Sequence, residues 1–306
     1  MENRYNYVNE YYKNKFGERV LKICVDGGFT CPNRDGTCGT GGCIFCSERG
    51  SGDLISKKQS IREQVLDGLN YKDNQAHKAE KFIVYFQNFT NTYDTVENLK
   101  KKYDDALCDN RIIGLDIATR PDCIDEEKVK FIKSYADKYY VSVELGLQTA
   151  NDETAKLINR GYDKSNFTKA VELLRKHNID VIVHIMLGLP DESFEDVKET
   201  VNFVNQHDIQ GIKIHSTYIV KNTKLSELFN NKKFIPISFE DYMEQLIYVI
   251  THINETLVIH RYTGDPPKGN FVAPEWQLHK KKVMNTLNNT MKNQNLKQGM
   301  YYQNNL

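Results

Sequence analysis

The chain has no excess of charge of either sign: 41 lysines and arginines stand against 41 aspartates and glutamates in 306 residues. A strongly basic domain announces nucleic acid, and this balance does not. No apolar run approaches the ~20 residues needed to cross a bilayer, so no membrane partner is expected. No N-terminal stretch has the charged, apolar, small-residue order of a secretory signal, and a cytoplasmic, reducing location is expected. In so long a chain, and without that signal, the seven cysteines are poorly read as a disulfide framework. Walker loops, zinc-protease motifs and Ser–His–Asp arrangements are also missing. The segments DGGFT and GTGG are glycine-rich but wrongly spaced for a phosphate loop.

What is present is a cysteine loop, TCPNRDGTCGTGGCIFC, holding Cys31, Cys43 and Cys46. Eleven residues separate the first pair and two the second. Gly, Pro, Asn and Asp let such a loop wrap tightly around something. Three converging thiolates suit a [4Fe–4S] cluster and leave one of its irons open for chemistry. Zinc is a second reading, because Cys38 offers a fourth thiol and Cys24 lies just upstream. Inert buried thiols are the third, and the default for Cys24, Cys108 and Cys123.

Apolar, β-branched runs alternate with amphipathic stretches along the rest of the chain. Strands are expected at 20–25, 82–86, 111–117, 139–145, 180–187, 211–219 and 257–259, and helices at 60–69, 96–106, 126–138, 152–158, 165–177, 194–206 and 239–253. Such alternation with right-handed crossovers gives an α/β fold, a parallel sheet covered by helices. The cysteine loop follows the first strand. The segments 87–93, 118–122, 146–149 and 188–192 follow the next four, so the polar motifs gather at the strands' C-terminal ends, where such folds bind ligands.

Several side chains stand out against apolar surroundings. Glu144 and Gln148 in VELGLQT share one face of a strand at period two, facing the interior. A buried carboxylate needs a ligand or a structural Arg or Lys to meet it. His184 in VIVHIMLGLP is a ligand contact or a satisfied core histidine. Arg120 in IATRPD contacts a ligand or anchors its loop on Asp122. Asp191 and Glu192 are expected to cap the following helix. The C-terminal tail carries Lys268, Lys280, Lys281, Lys282, Lys292 and Lys297 against one acid, Glu275. Leu278, Met284, Leu287 and Met291 form an apolar stripe there. That tail is either a docked helix with a solvated face or a phosphate-contacting patch.

The cysteine loop resembles that of the radical S-adenosylmethionine (SAM) superfamily, and Phe45 matches the aromatic residue that precedes the last cysteine in that family. The long first spacing is similar to the branch of the Elongator catalytic subunit. The run FGERVLKICVDGGFTCPNRDG…GGCIFCSERGSGD resembles the bacterial YtqA/YhcC-type subfamily of that branch, as do FQNFTNTY, INRGYD, MLGLPDES, HRYTGDPP and APEWQLHK. The resemblance implies a partial (β/α)6 barrel over residues 20–262, an N-terminal extension over 1–19 and a helical tail over 263–306. It implies a [4Fe–4S] cluster on Cys31, Cys43 and Cys46, with SAM on its open iron. By the same resemblance Gln148 and Arg160 hold the methionine part of SAM, His184 faces its ribose, and Phe45, Glu144 and Arg120 complete the cofactor site. Fewer than fifty residues follow Ile259, too few for an acetyltransferase domain. The implied substrate is the carbon-5 side chain of a modified wobble uridine in tRNA, in a carboxymethylaminomethyl- to aminomethyl-type conversion. An electron donor such as flavodoxin or ferredoxin is implied as a further partner. The alternatives are a radical SAM enzyme on a small metabolite or peptide, and a non-catalytic iron–sulfur or zinc protein that binds RNA. No role follows from the sequence for Cys38 or for TGDPPKGNFVAPEW.

Overall fold

The computed structural model describes residues 3–50, 59–71, 79–267 and 269–303. Lys268 and the end of the cysteine-loop run, residues 51–53, lie outside the described residues. Strands β1 (Val20–Val25), β2 (Lys81–Phe86), β3 (Ile112–Thr119), β4 (Tyr140–Gln148), β5 (Asp180–Leu187), β6 (Gly211–Ser216) and β8 (Val258–Arg261) pair in parallel in chain order. Chain-order pairing leaves β1 and β8 as the two edges, so the sheet curls into an open barrel instead of closing. Two short strands, β7 (Ile219–Val220) and β9 (Phe271–Ala273), pair antiparallel beside it.

Helices α2 (Ile61–Asn70), α3 (Val96–Ala106), α4 (Glu126–Ala136), α5 (Asp152–Leu157), α6 (Lys164–Lys176), α7 (Phe194–Asn205) and α9 (Phe239–His252) lie where the helical periodicity put them, within a few residues. Their starts follow side-chain caps. Ser60 caps α2 in a reciprocal box with Glu63, and Ser193 caps α7 with Asp196. The expectation that Asp191 and Glu192 cap α7 is therefore corrected: Asp191 turns the chain at φ 59° and Ser193 takes the cap. Glu192 is instead turned inward, where burial pushes its carboxyl up to about 7.

Two helices were not among those expected, and a third is the expected helix of the tail. Helix α1 (Val8–Phe16) sets Val8 and Tyr12 against Val20, Ile83 and Val258, all near strand starts, and so covers the N-terminal end of the barrel. Helix α8 (Lys224–Asn230) packs beside the cysteine loop. Helix α10 (Lys280–Asn293) buries Val283, Leu287 and Met291 in the main core, whereas Leu278 and Met284 remain exposed. The tail stripe is corrected accordingly. Leu278 sits in a 3-10 turn ahead of the helix, and the buried face runs at positions i, i+4 and i+8 from Val283.

Candidate active site

Cys31, Cys43 and Cys46 come from the loop after β1, and that loop is fixed by its own backbone. Arg34 and Asp35 donate N–H groups to the Cys31 carbonyl, and the Cys46 N–H reaches the Cys43 carbonyl at 3.0 Å. Gly42 has φ +78°, and a Cβ there would meet the Arg34 side chain at 2.7 Å, so only glycine fits. Arg34 in turn donates to the carbonyls of Cys46 and Ser47. Asn33 and Asn159 stitch the loop to the end of α5. Asn33 Nδ2 donates to the Asn159 carbonyl at 2.6 Å, and Asn159 Nδ2 donates to that of Gly42 at 2.8 Å.

The contact between Cys43 and Cys46 drives the titrations of the two thiols apart. A hydrogen bond with Cys43 pulls the Cys46 thiol down to about 7, with help from Arg34 and Arg120 against burial. The same bond, and burial, hold Cys43 well above the ordinary thiol range. Among the described residues no three His, Cys, Asp or Glu side chains gather around a single point that would hold one metal ion. A [4Fe–4S] cluster would take one thiolate from each of Cys31, Cys43 and Cys46 and leave one iron open. Cys38 faces Arg120, whose Nη2 lies 3.6 Å from its sulfur.

Beyond the loop, the expected cofactor contacts divide into two groups. Arg160 is 0% exposed. Its Nη1 donates to the carbonyls of Leu147 and Thr149, its Nε to that of Tyr162, and its Nη2 to Asp152. Arg120 forks onto Asp122 at 2.9 and 2.7 Å, donates to the Arg160 carbonyl, and stacks on Tyr162. Both guanidiniums thus hold protein, and of the two readings of Arg120 the loop anchor matches its contacts. Gln148 is half-buried at a bulge on β4 with φ 61°, and accepts from the Tyr162 hydroxyl at 3.3 Å. Phe45 packs partly buried beside Met186 in the small cluster around Ile44 and Leu225.

Glu144 is buried at the centre of a charge network inside the barrel. His184 Nε2 lies 2.6 Å from its Oε2, Lys22 lies 3.2 Å from its Oε1, and Lys213 bonds to Oε2. Lys22 and Ser142 also donate to Asp116. Burial opposes the Glu144 charge, but Lys213, Lys22 and His184 outweigh it and hold the carboxyl well below its usual range. Asp116 moves the other way, pushed up to about 7 by burial and the Glu144 charge. Burial also lowers His184, so its imidazole is neutral near pH 7. A neutral ring donating Nε2–H to a carboxylate presents Nδ1 as an acceptor. Glu144 is thereby met by structural lysines, the second of its two readings.

A cavity of about 1080 Å³ opens beside this network, lined by Cys24, Tyr85, His184, Lys213, His215 and Arg261 among others. The segment TGDPPKGNFVAPEW forms one wall through Gly264–Pro267, Gly269 and Asn270, and Lys280 reaches the lining from the tail. Gln277 fastens that wall, accepting from Ser216 Oγ and donating to the Thr217 carbonyl. Lys22, Asp116, Lys213, His215 and Arg261 were not singled out from the sequence. A signal was available for some of them: Lys22 and Asp116 are single charged residues in otherwise apolar strands, and Lys213 and His215 share one strand face at period two.

The comparisons agree with this arrangement. The model of the radical SAM superfamily matches residues 34–204, and that of the radical SAM C-terminal domain residues 209–293. YtqA of Bacillus subtilis is 37% identical over 302 residues, 99% of this chain and 94% of that protein. A tRNA uridine(34) acetyltransferase of Methanocaldococcus infernus is 32% identical over 162 residues, which are 52% of this chain and 30% of that protein. The structure of archaeal Elp3 from Methanocaldococcus infernus, with an N-terminal deletion, superposes with a TM-score of 0.69 at 18% identity, across 91% of this chain and 64% of that one. The chain is similar over nearly its whole length to YtqA, and it belongs to the radical SAM superfamily, enzymes that work with a [4Fe–4S] cluster and S-adenosylmethionine.

Proposed function

We propose that this enzyme modifies tRNA at the carbon-5 side chain of a modified wobble uridine, in a carboxymethylaminomethyl- to aminomethyl-type conversion. The observation that carries the reading is the cavity of about 1080 Å³ beside the His184–Glu144 network. It is large enough for an extruded nucleoside, and such pockets serve enzymes that take a base out of its stack. The relative named for uridine 34 supports this choice of substrate.

When bound, the cluster and SAM would supply a 5′-deoxyadenosyl radical able to take a hydrogen atom from the carboxymethyl CH2; passing one further electron back to the cluster and hydrolysing the resulting imine would break the C–N bond, releasing the two carbons as glyoxylate and leaving the aminomethyl group. Cys31, Cys43 and Cys46 would hold the cluster. Gln148 and His184 are half-buried and would meet SAM, with Phe45 beside the cysteine loop. Arg120, Arg160 and Glu144 act behind them as positioning residues: Arg160 fixes the end of β4, and Glu144 fixes the His184 ring. Pro266, Pro267 and Leu278 supply apolar lining to the cavity. At its rim Lys280 stands beside the exposed Lys281 and Lys282, where tRNA phosphates would displace counterions. Electrons would come from a small donor of the flavodoxin or ferredoxin class.

Nucleoside analysis of tRNA from cells with and without the gene tests the reading. The carboxymethylaminomethyl nucleoside should accumulate without the gene and fall again on complementation, except with the Cys46→Ala variant. Unchanged nucleosides would favour a small metabolite or peptide as substrate.

A further inference from the structure

Three basic side chains stand in one row across the barrel. The register pairs His184 of β5 with Lys213 of β6, and Lys213 with Arg261 of β8. All three line the cavity, and none of the cysteines of the loop does. Lys213 and Arg261, like charges set opposite each other on neighbouring strands, repel, and Lys213, at 5% exposed, cannot turn out to water. Burial, with repulsion from Lys22 and Arg261, pushes its ammonium down to about 8 despite Glu144.

The anions within reach are already shared. Glu144 serves Lys22, Lys213 and His184, and Asp265 serves Arg261 and Lys280. Lys213 otherwise lies over the Tyr85 ring, and the Arg261 guanidinium has Asp265 as its one ion-pair partner among the described residues. N–H donors on both are left over. His215 lines the same cavity with a buried Nε2 that has no hydrogen-bond partner. Two cations with spare donors and an unpaired imidazole on one wall make a site for a further anion. A guanidinium fork beside an ammonium suits the two oxygens of a carboxylate.

We propose that Lys213 and Arg261 form a carboxylate subsite that grips the carboxymethylamino group of the substrate side chain, distinguishing it from the aminomethyl product. The identity of this ligand rests on the wobble-uridine reading. Release follows from the same chemistry, because the product no longer carries the group the cations hold.

The test uses the reconstituted holoenzyme with SAM and two anticodon stem-loops, one with the carboxymethylaminomethyl group and one with the aminomethyl group. Wild type should bind the first more tightly by roughly tenfold or more, the scale of a charged hydrogen bond. Arg261→Gln and Lys213→Gln should each lose most of that preference and keep wild-type SAM affinity. Arg261→Gln leaves Asp265 paired with Lys280, so it guards against a folding defect in the other variant. Equal binding of both stem-loops by wild type, or an intact preference in Arg261→Gln, would overturn the subsite while leaving turnover of the tRNA to speak for the function. Weakened SAM binding in both variants would assign the cations to the SAM carboxylate and overturn it as well. An RNA-free arm covers failure of the wobble-uridine reading. N-methylglycine, but not methylamine, should raise the unfolding midpoint of wild type and not of Arg261→Gln; no difference between the two ligands would overturn the subsite.

Discussion

His184 Nε2 lies 2.6 Å from Glu144 Oε2, on a carboxylate that Lys22 and Lys213 also reach. One anion therefore serves three donors deep in the barrel, and its loss would leave, among the described residues, the buried Lys213 ammonium without an anion and Lys22 with Asp116 alone. Glu144→Gln should cost about 3–5 kcal/mol in equilibrium urea unfolding, as for a buried ion pair with one partner removed. A variant as stable as wild type would show that the network is not structural.

The neighbouring carboxylate gives the pH dependence. Asp116 titrates at about 7 in the folded protein, above the ordinary 3.8, because burial and Glu144 disfavour its charge. A group raised in this way binds its proton more tightly when folded. Its stabilising contribution is complete below about pH 4 and is lost as pH rises through about 7. Relative to Asp116→Asn, wild type should therefore lose roughly 2–3 kcal/mol between about pH 5 and pH 8. Parallel stability profiles for the two proteins would place the Asp116 titration elsewhere.

Arg160 gives a sharper separation of roles. Its guanidinium donates to three backbone carbonyls and Asp152 with no exposed surface. Arg160→Ala should destabilise the fold by about 3–5 kcal/mol, the range for breaking a buried charged network. Gln148→Ala should weaken SAM binding with little change in the unfolding midpoint. Normal stability in Arg160→Ala combined with weak SAM binding would return Arg160 to direct contact with the cofactor.

The cysteine loop is tested by absorption. After anaerobic reconstitution, Cys31→Ala, Cys43→Ala and Cys46→Ala should each lose the visible band of the cluster. Cys108→Ala and Cys123→Ala should keep it, since burial holds both of those thiols protonated. Loss of the band in Cys38→Ala would mean that the loop uses a fourth thiol.

Much of the barrel was legible because its strands are apolar and β-branched and its helices carry apolar residues three and four apart. The strand Asp180–Leu187 and the helix Val96–Ala106 match their expected bounds. What periodicity could not supply was the partner of each polar residue. Glu144 was visible as an anomaly, but its lysines lie 122 and 69 positions away and meet it only once the sheet curls. Arg160 was assigned to SAM through the family resemblance, and sequence does not reveal that the carbonyls of Leu147 and Thr149 converge on it. The stripe of the tail missed its phase because the Glu275–Leu278 turn breaks the helical register before Lys280.

The most direct measurement is 5′-deoxyadenosine formed by the reduced, reconstituted enzyme with SAM and tRNA carrying carboxymethylaminomethyluridine. The account requires that it form in step with loss of that nucleoside, and that tRNA lacking the modification leave only a slow background. Equal 5′-deoxyadenosine formation with both tRNAs, with the modified nucleoside untouched, would contradict a radical step on the wobble uridine.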